Sequence, residues 1–193
     1  QEKDLGQPNV VTRSRTDLPE RCSHWLKTLL TYKLPPAKVL ELGSAHGGFV
    51  AMLRWAGFDA MGLELSPWIV DFAKKTFDVQ MLLGPVEDQE IVPGSLDAIA
   101  LMDVLEHLPD PVATMKHCLN LLKSDGILLI QTPCFPPDRS YEQMKENNDS
   151  FLPQLKENEH LFLFSEQSVR ELFHRLGAEY IEFEPAIFFH YDM

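Results

Sequence analysis

A glycine-containing turn and a later acidic residue are the first features of this sequence that could do chemistry. The segment VLELGSAHGGFV (Val39–Val50) runs from a short apolar stretch into glycines and then into a helix-forming stretch. Glycine lets the backbone approach a ligand closely, and a helix N-terminus offers unpaired N–H groups to a carboxylate. Glu64 follows Gly43 by 21 residues and can accept hydrogen bonds from ribose hydroxyls. Without a ligand, the same residues would form a tight turn and a solvated glutamate.

Two histidines are candidates for taking a proton from a substrate. His107 follows the apolar run LDAIALM, and His160 ends a long polar segment that could fold over the same place. An imidazole with a pKa of about 6.5 can accept the proton of a hydroxyl near neutral pH. Asp103 is a weaker candidate for the same role. The alternative is structural, with His107 bracing a loop and His160 bracing the polar segment against the core.

Strand-like and helix-like segments alternate along most of the chain. Ser66-Pro67 and Asp110-Pro111 each combine an N-cap residue with a first-turn proline, which is typical of a helix start. This alternation predicts a doubly wound, mostly parallel sheet with helices on both faces. The predicted strands are Val39–Leu42, Ala60–Leu65, Val79–Leu83, Leu96–Met102 and Ile127–Gln131, with helices over Gly47–Ala56, from Pro67 and from Pro111 to about Lys123.

The C-terminal part departs from this alternation. Ser165 and Gly177 bound a helix, after which EYIEFE (179–184) and AIFFHY (186–191) are separated only by Pro185. Such a short connection allows an antiparallel hairpin but no crossover, so the hairpin would bring the sheet to seven strands. Earlier in the chain, residues 124–126 (Ser-Asp-Gly) predict a turn before the fifth strand.

The predicted domain organisation has two parts. Residues 1–34 form a polar leader and a helix, and residues 35–193 form the α/β domain. Within the domain, residues 133–164 form a lid-like insertion rich in Pro, Asn, Glu and Asp, with a short helix near 141–147. Insertions of this length in compact domains are usually functional or disordered.

The motifs resemble those of the class I (Rossmann-like) S-adenosylmethionine-dependent methyltransferase superfamily. The order Glu41-x-Gly43-x-Ala45-x-Gly47 is similar to the first motif, E-x-G-x-G-x-G. Segment 101–111 (LMDVLEHLPDP) resembles the fourth motif and segment 121–130 (LLKSDGILLI) the fifth. The stretch 160–165 (HLFLFS) is similar to one found before the last helix in a small-molecule and glycan-type branch. The resemblance covers residues 35 to 191 in the same order.

The resemblance implies a role for individual residues. It places His107 at the mouth of the site, and Glu64 on the ribose hydroxyls of S-adenosylmethionine. Ala45 departs from the pattern because most relatives have glycine there, and Pro85 stands where many have Asp or Thr. The residues implied to bind the cofactor are Glu41, Gly43, Ser44, Ala45 and Gly47 at the methionine and ribose portion, Leu65, Val86 and Glu87 around the adenine, and Met102 and Asp103 beneath the sulfonium.

Composition restricts the possible partners. Seventeen basic and 29 acidic side chains give a formal net charge of −12, which disfavours a nucleic-acid substrate because phosphate binding relies on Lys and Arg. No run of residues predicts a membrane span, and three cysteines without CxxC spacing predict a reducing, cytoplasmic location and no structural zinc. No paired carboxylates resemble a magnesium site, so no metal is expected, and we expect a monomer or homodimer.

The sequence therefore predicts a methyltransferase that acts on a hydroxyl of a small metabolite, a sugar or a polysaccharide precursor. The interpretation that the acceptor is a sugar or polysaccharide precursor is an analogy with the branch that shares the 160–165 stretch. Two alternatives stay open at this stage. One is an NAD(P)-dependent oxidoreductase, disfavoured by Ala45 within the glycine turn, and the other is a non-catalytic cofactor-binding module of a larger protein.

Overall fold

The computed structural model describes residue 12, residues 18–156 and residues 159–184. Within these residues the sheet has five strands, all parallel, in the order β3-β2-β1-β4-β5. The predicted α/β architecture with a parallel sheet is confirmed. The strands are β1 (Lys38–Leu42), β2 (Asp59–Glu64), β3 (Gln80–Leu83), β4 (Leu96–Met102) and β5 (Leu122–Gln131).

Helices cover both faces of this sheet. Those on one face enclose a core around Phe49 and Ala98, and those on the other enclose a core around Ile99 and Met115. No helix among the described residues is long and apolar enough to cross a bilayer. The α-helices are α1 (Ser23–Tyr32), α2 (Gly48–Trp55), α3 (Pro67–Phe77), α4 (Pro111–Leu121), α5 (Tyr141–Glu146) and α6 (Glu166–Arg175), with a π-helical turn at Leu18–Cys22 and 3₁₀ turns at Val86–Asp88, Leu105–His107 and Leu152–Gln154.

The central strands explain the apolar runs of the sequence. Because helices cover both faces of β1 and β4, side chains pointing either way are buried, and Val39, Leu40 and Ile99 are fully enclosed. The strand order reverses between β1 and β4, since β2 and β3 extend to one side and β5 to the other. In parallel α/β sheets the crevice for a ligand forms at this point, outside the carboxyl ends of the strands.

Local signals placed the helix starts correctly. The Asp110 carboxylate accepts a hydrogen bond from the Ala113 N–H at 2.9 Å, and Ser165 forms a capping box with Ser168. Helix α3 begins after Ser66 with Pro67 in its first turn, although the Ser66 side chain makes no capping hydrogen bond. The α1 helix belongs to the same core, because Leu29 is fully buried and the Trp25 ring packs edge-on against Phe49 at 5.4 Å.

Two predictions about the sheet differ from the structure. The turn expected at residues 124–126 lies inside β5 as a bulge, because Leu96 pairs with Leu122 whereas Ala98 pairs with Ile127. Residues 179–184 form no strand, and side chains hold them instead: Tyr32 bonds to Glu182 and Glu184. The expected partner run 186–191 lies outside the described residues, so the hairpin and the seven-stranded sheet stay predictions.

The insertion at 133–164 folds back on its own beginning. The Phe135 N–H donates to the Phe164 carbonyl at 2.7 Å, and Cys134 and Phe164 form an isolated bridge. The expected short helix is present as α5, whose Met144 is buried, and the Phe135 and Phe151 rings pack at 5.6 Å. The two ends of the insertion therefore meet beside the carboxyl end of β5, which brings its last residues toward the loop after β4.

Candidate cofactor and active site

The turn after β1 has a backbone conformation that residues other than glycine rarely adopt. Gly43, Ala45 and Gly47 all have positive φ angles, of 64°, 44° and 78°. A Cβ at Gly43 would lie 2.5 Å from Cγ2 of Val104, so only glycine fits there without displacing a neighbour. Ala45 takes the left-handed conformation although it carries a Cβ, which costs about 1 kcal/mol. The turn is therefore held in one shape by residues outside it.

Hydrogen bonds to strand β2 hold the glycine turn in this shape. The Ser44 N–H donates to the Leu63 carbonyl at 3.0 Å, and the Ala45 N–H donates to Oε2 of Glu64 at 3.1 Å. Oε1 of Glu64 accepts hydrogen bonds from the N–H groups of Leu65 at 2.9 Å and Ser66 at 3.1 Å. The predicted glycine turn and the predicted acidic residue thus meet at the carboxyl edge of the sheet.

Glu41 lies beneath this turn and is almost completely buried. Its Oε2 has no hydrogen-bond partner among the described residues. Burial raises the pKa of this carboxyl well above its usual range, and the negative charge of Glu64 raises it further, while a hydrogen bond from the Val50 backbone opposes both. An unpartnered carboxyl oxygen at this depth lacks the polar partner that would offset its burial.

A cavity of about 30 Å³ separates the turn from the N-terminal helical segment. Met102 forms part of its wall, and Ser44, buried with its hydroxyl 3.3 Å from the Leu63 carbonyl, forms another part. The remaining wall residues include five that the sequence analysis did not assign to the site. These are Arg21, Cys22 and Trp25 from the N-terminal segment, and His46 and Phe49 from the turn and α2.

Asp103 directly follows Met102, the last residue of β4, and has a positive φ of 57°. Its carboxylate forms an ion pair with Arg21 and accepts a hydrogen bond from the Gln131 amide at 3.0 Å. Gln131 in turn accepts from the Trp25 indole at 2.8 Å, and the Arg21 guanidinium stacks on the Trp25 ring. Asp103 is therefore held on both sides, because both of its carboxylate oxygens already have partners.

The residues expected around an adenine lie at the other end of the turn. Leu65 is 68% exposed, whereas Val86 is buried beneath the same region. Glu87 is turned toward α4, because its Oε1 accepts a hydrogen bond from the Thr114 hydroxyl at 2.6 Å. Trp68 and Leu83 are about half exposed there, so an apolar surface is open to solvent next to Glu64.

His107 and His160 come together although they are distant in sequence. Their ring centroids are 4.8 Å apart, with the rings edge to face. Nδ1 of His107 lies 2.6 Å from the Glu159 carbonyl, and Nδ1 of His160 lies 2.8 Å from the Gln154 carbonyl. Burial and the neighbouring His107 lower the pKa of His160. Glu106, which the sequence analysis did not single out, is buried beside this pair.

A larger groove of about 580 Å³ lies elsewhere on the domain. Its walls include Lys38, Gln80 and Leu96, which are the first residues of β1, β3 and β4. The groove is therefore at the amino edge of the sheet, opposite the glycine turn and Glu64. Its size does not make it the candidate site, because the predicted binding residues lie at the carboxyl edge.

The sequence profile of a methyltransferase domain family matches residues 14–182, which is most of the chain. The chain belongs to this methyltransferase domain family. The match includes the N-terminal helical segment as well as the sheet.

Curated relatives of this methyltransferase domain include ubiquinone biosynthesis O-methyltransferases. The protein of that name from Xanthomonas campestris pv. campestris (strain B100) is 34% identical over 105 residues, which cover 51% of this chain and 44% of that protein. The one from Xanthomonas axonopodis pv. citri (strain 306) is 30% identical over 128 residues, covering 60% and 54%. The chain spans about half the length of the curated relatives it matches.

Solved structures share the fold. An S-adenosylmethionine-dependent methyltransferase from Archaeoglobus fulgidus superposes with a TM-score of 0.62 at 17% identity, covering 91% of this chain and 72% of that chain. Phosphoethanolamine N-methyltransferase 2 from Haemonchus contortus, in complex with S-adenosylmethionine, superposes with a TM-score of 0.63 at 18% identity, covering 80% and 36%. At these identities the similarity establishes a class I methyltransferase fold.

Replacing Gly43 by alanine should destabilise the methyltransferase domain. The new Cβ would meet Val104 at 2.5 Å in a backbone with a φ of 64°, so we expect a loss of about 1–3 kcal/mol in the free energy of unfolding. Denaturant unfolding measures it. In a Val104→Ala background, Gly43→Ala should cost less free energy of unfolding than it does in the parent chain, because the clashing side chain is shorter. Equal costs in the two backgrounds would show that the contact with Val104 is not the cause.

The buried Glu41 carboxyl predicts a dependence of stability on pH. Because its pKa is raised in the folded state, the folded chain retains a proton that the unfolded chain loses, so stability falls as pH rises above the usual value near 4.5. Glu41→Gln should therefore raise the free energy of unfolding of the unliganded chain at pH 7 by about 1–3 kcal/mol. Denaturation from pH 4 to pH 8 would test it, and the difference should shrink toward pH 4. Glu90→Gln, at an exposed position, controls for the lost charge.

Proposed function

We propose that this domain binds S-adenosylmethionine at the carboxyl edge of the sheet and methylates a hydroxyl of a small molecule. The observation that carries the proposal is the contact between the Ala45 N–H and the Glu64 carboxylate, which places the glycine turn beside an acidic acceptor at the switch point. Family membership and the structural neighbour with bound S-adenosylmethionine support the same cofactor.

The residues present fit this cofactor. The turn at residues 43–47 has the positive φ angles of a tight strand-to-helix connection, and Oε2 of Glu41 is a buried polar atom without a hydrogen-bond partner among the described residues. We assign Glu41, Met102 and Asp103 with residues 43–47 to the methionine portion and Glu64 to the ribose hydroxyls. Leu65, Val86 and Glu87 border the adenine. When bound, S-adenosylmethionine supplies a methyl group activated on a sulfonium.

The main task of the chain is then to hold the acceptor in line and to accept its proton. His107 and His160 are the proposed groups for the proton, because each Nδ1 donates to a backbone carbonyl and leaves Nε2 with its lone pair. Asp103 is less suited to this role than the sequence analysis allowed, since Arg21 and Gln131 already hold its carboxylate.

The proposed acceptor class is supported by the relatives. Relatives named as O-methyltransferases of ubiquinone biosynthesis support a hydroxyl on a small molecule, and a sugar or polysaccharide precursor remains the other proposed class. The insertion at 133–164 ends beside His107, so it would contact whichever acceptor binds. Membership of a methyltransferase family favours neither the NAD(P)-dependent oxidoreductase nor the non-catalytic module.

Three further expectations remain proposals. The boundary between residues 1–34 and 35–193 is one of them, although α1 packs into the common core. A cytoplasmic location is another, and it is supported by the three cysteines, none of which forms a disulfide among the described residues. A monomer or homodimer is the third.

Cofactor binding tests the proposal directly. In calorimetric titrations the chain should bind S-adenosylmethionine and S-adenosylhomocysteine but not NAD. Glu64→Ala should weaken binding by about 1–3 kcal/mol, because a charged hydrogen-bond acceptor is lost, whereas Glu90→Ala at an exposed position should bind as the parent does. Equal affinity in the Glu64→Ala variant would remove Glu64 from the site.

The histidine pair tests the proton step. His107→Ala and His160→Ala should bind S-adenosylhomocysteine normally and lower turnover of hydroxylated small acceptors by about 100-fold, because the group that accepts the proton is removed. His174→Ala, on the exposed side of α6, is the matched control. Full turnover in both site variants would exclude the histidines from the reaction.

A further inference from the structure

Glu106, His107 and His160 form one cluster at the mouth of the proposed active site. A potential ligand atom of each residue lies within 4.8 Å of those of the other two. Glu106 and His107 belong to the 3₁₀ turn after β4, and His160 ends the insertion. The backbone ties the two segments together, because the Glu106 carbonyl accepts hydrogen bonds from the N–H groups of Leu161 at 2.9 Å and Phe162 at 3.2 Å.

The hydrogen-bond partners of the two imidazoles determine which ring nitrogen carries a hydrogen. A backbone carbonyl can only accept a hydrogen bond, so Nδ1 of His107 and Nδ1 of His160 must both carry a hydrogen. In the neutral rings, both Nε2 atoms then present a lone pair. Histidines that bind metals are usually held in this way, with the second nitrogen donating to a carbonyl that orients the ring.

Glu106 supplies a third potential ligand atom. The residue is 2% exposed, and its Oε2 accepts a hydrogen bond from the Thr132 hydroxyl at 2.9 Å. Its Oε1 has no hydrogen-bond partner among the described residues. A buried carboxylate oxygen without a donor is costly, and a cation is one of the few partners that remove this cost. The cluster thus combines a carboxylate oxygen that lacks a partner with two oriented imidazoles.

We propose that Glu106, His107 and His160 form a binding site for a divalent transition-metal ion. Two imidazoles and one carboxylate suit Mn²⁺, Co²⁺ or Zn²⁺ better than Mg²⁺ or Ca²⁺, which prefer oxygen ligands. Small side-chain movements would close the cluster around the ion, since ligand atoms lie about 2.0–2.2 Å from zinc. The site departs from the sequence-based expectation that no metal binds, because that expectation considered only cysteine spacing and paired carboxylates.

The catalytic meaning of the site rests on the proposed function. Three protein ligands leave coordination positions for water or for an acceptor oxygen. A cation there would bind the acceptor hydroxyl and lower its pKa, so that the proton leaves to solvent before methylation. His107 and His160 would then act as ligands and not as bases. The two mechanisms differ in their response to a chelator.

The experiment uses the full chain, freed of metal with a chelator and then dialysed. Calorimetry with Mn²⁺, Co²⁺, Zn²⁺ or Mg²⁺ alone should show one saturable site for at least one of the first three ions, and Co²⁺ should give visible absorption bands of a protein-bound ion. Glu106→Gln and His160→Gln should each weaken binding by at least about 100-fold. His174→Gln, on the exposed side of α6, should bind metal as the parent does.

The outcomes separate the two proposals. Metal binding that survives in both Glu106→Gln and His160→Gln, or its absence from the parent chain, would overturn the site. If circular dichroism shows that Glu106→Gln does not fold, the result for His160→Gln, at a partly exposed position, still tests the site. Titration of the same metal-free samples with S-adenosylhomocysteine tests the proposed function on its own. Turnover that a chelator leaves unchanged would show that the histidines act as bases without a metal.

Discussion

The hydrogen bond from the Ala45 amide to the Glu64 carboxylate is the interaction on which the rest of the site depends. It exists because β1 and β2 run parallel and in register, with Leu42 opposite Leu63, so that the turn and Glu64 leave the sheet side by side. The same carboxylate also organises the start of α3 through the Leu65 and Ser66 amides. One side chain therefore sets the separation of two loops, and a ligand between them would meet a preformed edge.

Two buried carboxyl groups are not fully hydrogen-bonded within the described part of the chain. Glu41 under the glycine turn and Glu106 after β4 each retain one oxygen without a hydrogen-bond partner among the described residues. A folded chain tolerates such groups at a cost of about 1–3 kcal/mol each, which is large beside the total stability of a domain. Residues of this kind are expected where a ligand completes the set of partners. Both lie beside the carboxyl ends of central strands, whereas the larger groove lies at the amino edge.

The N-terminal segment contributes more to the site than its polar sequence indicates. Arg21 and Trp25 link Asp103 and Gln131 into one network that joins the N-terminal segment to the ends of β4 and β5. Trp25 also packs on Phe49 at the start of α2. The cavity of about 30 Å³ beside the glycine turn is consequently closed by residues that precede the first strand. Core packing and the wall of the site are made by the same side chains here.

The sequence by itself determined the features that depend on near neighbours in the chain. Caps at Asp110 and Ser165, the glycine turn, and the position of Glu64 at the end of β2 all follow from local patterns. Tertiary structure alone decided the bulge in β5, the pairing of Arg21 with Asp103, and the meeting of Glu106 with His160. The physical reason is that periodicity and capping act over a few residues, whereas these contacts join segments whose proximity is set by strand order and by how the insertion closes.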